Sequence, residues 1–209
     1  IAVAGDQTNP EIASATIARS IEAFGGVDGV VFNAGIAVAG RLDELAPSDW
    51  DKALSVNLTS AFLLTAASMK LLIDQGMGGS LVYMASKNAF APGEGFGAYS
   101  VTKAGLIQMM RIAAIEGGSH GIRSNALNPD AIFESSQLWS KGIREERAAA
   151  HGIQPDELED FYAKRNILHR HVRAADVAHA AEFLLSDVSS RTTGAVIPVD
   201  GGVVGGFPR

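Results

Sequence analysis

Short apolar runs rich in Val and Ile recur along this chain, each followed by a longer stretch with helical spacing. The strand candidates are Ile1–Ala4, Gly29–Phe32, Ser80–Met84, Arg123–Leu127 and Ala195–Val199. The first two show no polar alternation, the pattern of a strand covered on both faces. Between them, Pro10 to Phe24 repeats apolar residues at Ile12, Ala15, Ile17 and Ile21, as one helix face requires. A second helix is predicted from Ser48, with Ser48 and Asp51 as a capping box, and continues past Leu64. A third runs from Ala98 to Glu116 and a fourth from Ala174 to Leu185. This alternation predicts an α/β fold, a doubly wound parallel sheet with helices on both faces.

The rhythm breaks between Ala131 and His171, a long charged stretch with helical pieces at Arg144–Ala150 and Pro155–Lys164. Two readings stand. It is a helical lid over a site at the carboxyl ends of the strands, or a solvated excursion.

Composition narrows the function classes. Hydrophobic residues make up 47% of the 209 residues and charged ones 19%, enough for one globular domain over 1–209. The net charge is −6 with Lys and Arg scattered, so no nucleic-acid or anionic-membrane surface is expected. Without cysteine, disulfides, thiolate catalysis and Cys-zinc sites are excluded. His169 and His171 lack a third ligand at recognisable spacing, so no metal is assigned. No uninterrupted apolar run reaches bilayer length, and Ile1 to Thr8 lacks a basic secretory start. A cytoplasmic protein is the expectation.

Tyr99 and Lys103 stand four apart in a predicted helix and so share a face. A phenol titrates near about 10 in water, and a fixed ammonium beside it lowers that value. Tyr99 would then accept a proton from an alcohol, or return one to a carbonyl. The motif alone is weak, arising by chance roughly one time in ten in such a chain. Tyr83 and Lys87 repeat the spacing, but they begin in a strand, where four residues span about 13 Å. Tyr83 is read as packing. Ser86, thirteen residues before Tyr99, sits just past a strand's carboxyl end, where its hydroxyl can hold a substrate oxygen. Asn57, in Ser55-Val56-Asn57-Leu58, needs partners if buried, and satisfying backbone groups would be enough to explain it. Asn33-Ala34-Gly35 is either a ligand-approaching turn or an ordinary one.

Together with Asn128-Pro129 and Val199-Asp200-Gly201-Gly202, these motifs fall in the order and spacing of the short-chain dehydrogenase/reductase family, which the chain resembles over essentially its whole length. The resemblance implies a Rossmann-like fold and hydride exchange between NAD or NADP and a small alcohol or carbonyl compound. It implies Tyr99 as acid/base, Lys103 as the group that lowers its pKa and binds the nicotinamide ribose, and Ser86 on the substrate oxygen. Asn57 would anchor a water in a proton relay. Asp6 would touch the adenine, Asn33, Ala34 and Gly35 would line the dinucleotide groove, and Pro129 and Ile132 would lie at the nicotinamide end. A homodimer or homotetramer is implied as well.

The segments 128–134, Arg144-Glu-Glu-Arg147 and Gly206-Phe-Pro-Arg209 are similar to the dehydrogenase half of bifunctional rhamnulose-1-phosphate aldolase/alcohol dehydrogenases. That likeness implies lactaldehyde or a related hydroxyaldehyde as substrate, and an aldolase domain upstream. A stand-alone sugar or polyol dehydrogenase is the alternative, and a non-catalytic assembly domain is the third reading. The family pattern has glycine at Asp130 and a small hydroxyl residue at Glu134. Two carboxylates there would repel anionic substrates, which favours a neutral one, unless both side chains point to solvent. No G-x-x-x-G-x-G opens the chain, so by the resemblance two strand–helix units, on the order of 60 residues, should come first. Two consequences are expected: poor dinucleotide binding by this chain as numbered, and an Ile1–Ala4 strand that is displaced, frayed or paired with another chain.

Overall fold

The computed structural model describes residues 1–139 and 142–207, so Pro208 and Arg209 of the terminal motif lie outside the described residues. Four parallel strands form one sheet in chain order: β1 (Gly29–Phe32), β2 (Gly79–Met84), β3 (Ile122–Pro129) and β4 (Val196–Val199). Val31 pairs with Val82, Tyr83 with Ala126, and Leu127 with Ile197. Side chains on successive residues leave opposite faces, and both faces are covered. Leu81 and Tyr83 join Phe32, Leu72, Leu106 and Met110 in one buried cluster. Val82 and Leu127 meet Val177, Ala181 and Leu184 in another.

Helix α1 (Pro10–Phe24) precedes β1, and α2 (Pro47–Leu54), α3 (Ser60–Gln75), α4 (Gly97–Gly117) and α7 (Ala174–Leu185) lie in the crossovers. Helix α1 starts and stops by local rules: Asn9 accepts from the Glu11 amide, and Gly25 ends it at φ 85°. Gly78 earns its place by contact. A Cβ there would stand 2.7 Å from the Gly121 carbonyl, at a backbone φ of 77°.

Two expectations need correction. The predicted Ser48–Asp51 capping box is absent, because the helix starts one residue earlier with Pro47 in its first turn and Ala46 as an uncapped N-terminus. Ile1–Ala4 forms no strand, and Ile1 is 72% exposed. Extended chain without a ladder neighbour has nothing to hold it in a sheet, so the frayed outcome is the one observed. The helical rod Pro47–Gln75 runs 29 residues, and an 18-residue window within it reaches a mean hydropathy of 1.5, long and apolar enough to cross a membrane by length and composition only. The predicted helix from Ser48 past Leu64 is this rod, with a π turn, Ser55–Thr59, set within it.

The 131–171 excursion has a core of its own. Helices α5 (Ile143–Ala150) and α6 (Leu158–Lys164) bury Ala148, Leu158 and Tyr162 against Phe133, Trp139, Ile153 and Phe161. Phe133 stacks on Trp139 at 4.2 Å between ring centroids. The excursion is a packed helical unit seated beyond the carboxyl end of β3.

Candidate active site

The carboxyl ends of β2 and β3, the first turns of α4 and the excursion enclose a cavity of about 400 Å³. Tyr99, Lys103 and Ser86 all line it, and each is more than nine-tenths buried. Tyr99 and Lys103 sit one turn apart near the start of α4. The Tyr99 ring meets Phe96 edge-on at 6.1 Å. Ser86 follows β2 and caps a short 3₁₀ turn, accepting from the Asn88 amide at 3.2 Å. Ser86 stands near enough to the Tyr99 hydroxyl to count among the groups that set its acidity. Two hydroxyls thus share one spot on the cavity wall, where a single substrate oxygen can meet both.

The electrostatics run opposite to the expectation at Tyr99. Its pKa is raised, not lowered: burial is the largest cause, the Ser86 hydrogen bond works against it, and the Asp130 charge adds to it. Lys103 sits 5.6 Å from the ring centroid and donates to the Met84 carbonyl at 2.7 Å. Burial lowers its pKa to about 8. A buried ammonium that is itself short of charge at mildly alkaline pH gives a phenol little help.

Asn57 is fully buried in the π turn. Its Oδ1 accepts from the Ile36 amide at 2.7 Å, and its Nδ2 donates to the Ile36 carbonyl and to Thr102 Oγ1. The amide side chain therefore clamps the loop after β1 to α4. Asn33 and Gly35 line the cavity, while Ala34 does not and is exposed. A Cβ on Gly35 would stand 3.3 Å from Asn57 Oδ1 and 3.5 Å from Lys103 Nζ. Only a bare backbone leaves Lys103 reachable from that side. Gly35→Val is accordingly expected to weaken ligand binding at least tenfold while the chain stays folded, measured by titration calorimetry alongside circular dichroism. Unchanged affinity would show that this approach is not used.

Pro129 and Ile132 line the cavity, as does Asp130. Asp6 is not brought to it: exposed near the chain start, its carboxylate accepts from the amide and hydroxyl of Thr8, which holds it below its ordinary pKa. Glu134 is exposed and off the cavity lining, and Asp130 is bound by Arg165. The premise of two carboxylates repelling an anionic substrate is therefore not met.

Residues to which the motifs assign no role complete the wall: Lys87, Asn88, Phe96, Trp139 and Tyr162, with Arg147 from the Arg144–Arg147 segment. Lys87 was set aside with Tyr83, yet its adjacency to Ser86 marked it. Its Nζ donates to the Ala91 carbonyl, and burial, then the nearby Arg165, lower its pKa. Arg147 reaches in from α5, donating to the Glu94 carbonyl over the Phe96 ring. Tyr83 is the packing residue expected: fully buried, stacked on Phe32, bonded to Thr65 and pushed up to about 12 by burial.

The parallel sheet, covered by helices on both faces, thus carries at its carboxyl edge a cavity lined by buried Ser86, Tyr99 and Lys103. Residues 1–204 match the family described as enoyl-(acyl carrier protein) reductase. The chain belongs to the short-chain dehydrogenase/reductase family and is an oxidoreductase of it. It is 33% identical over 203 residues to an L-rhamnose 1-dehydrogenase (NAD(P)(+)) of Sphingomonas sp., covering 97% of this chain and 75% of that protein. Over 209 residues it is 41% identical to an uncharacterized oxidoreductase, YuxG, of Bacillus subtilis, of which it spans only 30%. The crystal structure of sorbitol-6-phosphate 2-dehydrogenase from Erwinia amylovora superposes with a TM-score of 0.89 at 29% identity, covering 95% of this chain and 77% of that one.

Proposed function

We propose that this domain interconverts an alcohol and a carbonyl with NAD or NADP, on a small polyhydroxylated substrate. The observation that carries the reading is the shared position of the Ser86 and Tyr99 hydroxyls on one cavity, with Lys103 Nζ beside the bare backbone of Gly35. That backbone cradle, with Asn33, Pro129 and Ile132 around it, fits a flat nicotinamide and its ribose. When bound, the dinucleotide supplies or accepts the hydride. Ser86 orients the substrate oxygen, and Tyr99 Oη takes its proton or returns one. Lys103 holds the ribose hydroxyls, Asn57 fixes the loop that shapes the groove, and the 131–171 unit closes over the substrate. A proton relay at Asn57 would use its main-chain carbonyl, since its side chain is already engaged.

For the substrate we favour a neutral hydroxyaldehyde or sugar, lactaldehyde in the narrower reading. The rhamnose dehydrogenase relative supports the class. The small share of YuxG that the chain spans accommodates an aldolase domain in the same polypeptide. A phosphorylated polyol is the second reading: Lys87 and Arg147 line the cavity, and neither forms an ion pair with a carboxylate among the described residues. Turnover of lactaldehyde, L-rhamnose and a hexitol phosphate, each with NAD and with NADP, separates the two. The neutral substrates are expected to win in kcat/KM by at least tenfold, about 1.4 kcal/mol; preference for the phosphate would replace the first reading by the second.

The apolar residues Phe62, Val101, Ile112 and Ile115 are exposed on α3 and α4. Side chains of that kind serve as a homodimer or homotetramer contact in our reading, and sedimentation as a monomer at micromolar concentration would remove it. A reducing cytoplasm suits a cysteine-free enzyme of this kind.

A further inference from the structure

Tyr162 stands on α6 with 8% of its surface exposed, and it lines the cavity that holds Ser86 and Tyr99. Its ring is gripped from several sides. The Arg165 guanidinium lies 3.8 Å from the ring centroid. That guanidinium is anchored in turn, one of its nitrogens donating to both carboxylate oxygens of Asp130 at 2.7 and 2.9 Å. Phe133, Trp139 and Phe161 meet the ring edge-on at 5.6, 5.5 and 6.0 Å between centroids. Trp139 is itself fixed, its Nε1 donating to the Ile132 carbonyl at 2.8 Å. The ring is therefore held in one pose.

The hydroxyl is treated differently. Among the described residues no hydrogen bond engages it, and it is not one of the oxygens shut away from solvent. A buried tyrosine ordinarily finds a partner for its O–H. Tyr83 does so, its hydroxyl meeting Thr65 at 2.9 Å inside the core. Phe133 and Phe161 show that the cluster around Tyr162 accepts plain phenyl rings, so packing alone asks for no oxygen there. The oxygen that packing leaves unexplained belongs to a side chain on the cavity wall.

Resting on the reading of this cavity as the site of an alcohol or carbonyl substrate, we propose that Tyr162 is a specificity-determining residue whose hydroxyl bonds a substrate hydroxyl other than the one that reacts. A phenol both donates and accepts, so it pairs with a hydroxyl in either role. A ring already immobilised by its neighbours gives up little rotamer freedom when substrate binds. An analogue lacking that hydroxyl would leave the phenol covered without a partner, which is how a polar site rejects a plainer substrate.

The test compares Tyr162→Phe with the parent on propanal, lactaldehyde and glyceraldehyde, a series that adds one hydroxyl at a time beside an unchanged aldehyde. In the parent, one of the two additions is expected to raise kcat/KM at least about tenfold. The variant should lose that gain and reduce propanal as fast as the parent does. Damage to packing would instead lower all three rates alike, and that result, a gain kept by the variant, or no gain in the parent would overturn the proposal. Should none of the aldehydes be reduced, the oxidoreductase reading fails and binding decides the proposal separately. Trp139 is one of two tryptophans, so in a Trp50→Phe background its fluorescence reports L-rhamnose entering beside Tyr162 without cofactor. A Kd weakened at least about tenfold by Tyr162→Phe keeps the proposal; equal affinity, or no binding by either protein, ends it.

Discussion

Replacing Tyr99 by phenylalanine is expected to lower turnover by roughly 10²–10⁴-fold and to leave the fold unchanged. The variant removes one oxygen. The ring keeps its edge contact with Phe96 and its place in the first turns of α4. The Ser86 hydroxyl still accepts from the Asn88 amide. What disappears is the buried phenol that lines the cavity with Ser86, so proton transfer would fall to water or to Ser86, whose hydroxyl is a far poorer acid. Steady-state rates at saturating substrate, with circular dichroism as the control on folding, give the answer. Equal rates for the two proteins would end the catalytic assignment.

Lys103→Met is expected to do two things at once, and their opposite directions make the test sharp. Turnover should fall by a similar factor, because the ammonium beside Gly35 and Tyr99 is gone. Stability should rise. Burial holds the folded-state pKa of Lys103 at about 8, below the ordinary lysine value. At neutral pH the folded protein therefore carries a charge that costs free energy, on the order of 1–3 kcal/mol. That cost fades as pH climbs from about 8 towards the unfolded-state value near 10.5, since the unfolded chain then holds the extra proton. The parent should gain stability across that window, and the variant should not. Thermal melts near pH 7 and near pH 10 measure both statements. A variant less stable than the parent at neutral pH would mean that the bond to the Met84 carbonyl outweighs desolvation.

The pKa directions also bear on how such a site works. Without ligand, Tyr99 lies above its ordinary value and Lys103 below. Both favour their neutral forms, as burial demands of isolated groups. The pair is thus not poised by itself.

Some features were readable residue by residue. Helix α1 ends where Asn9 and Gly25 place its boundaries, and α7 spans the predicted Ala174–Leu185, because caps and periodicity act over a few residues. The parallel order of strands followed from their alternation with helices. Tyr83 was separable from Tyr99 because a strand and a helix carry the same four-residue spacing to different distances.

Other features were not local. The rod through Asn57 keeps going past a π turn that no periodicity announces. Nor does any run of residues show that Arg165, thirty-five positions after Asp130, reaches it. Lys87 and Arg147 share a cavity only because the excursion folds back over β3. The sequence by itself determined the chain's class and singled out Ser86, Tyr99 and Lys103, which the fold brings to one cavity, since spacing along one helix and position at a strand end are local geometry. Tertiary structure alone decided the charges those residues feel, because desolvation and Coulomb attraction depend on which distant segments enclose them, and enclosure is a property of the packed whole.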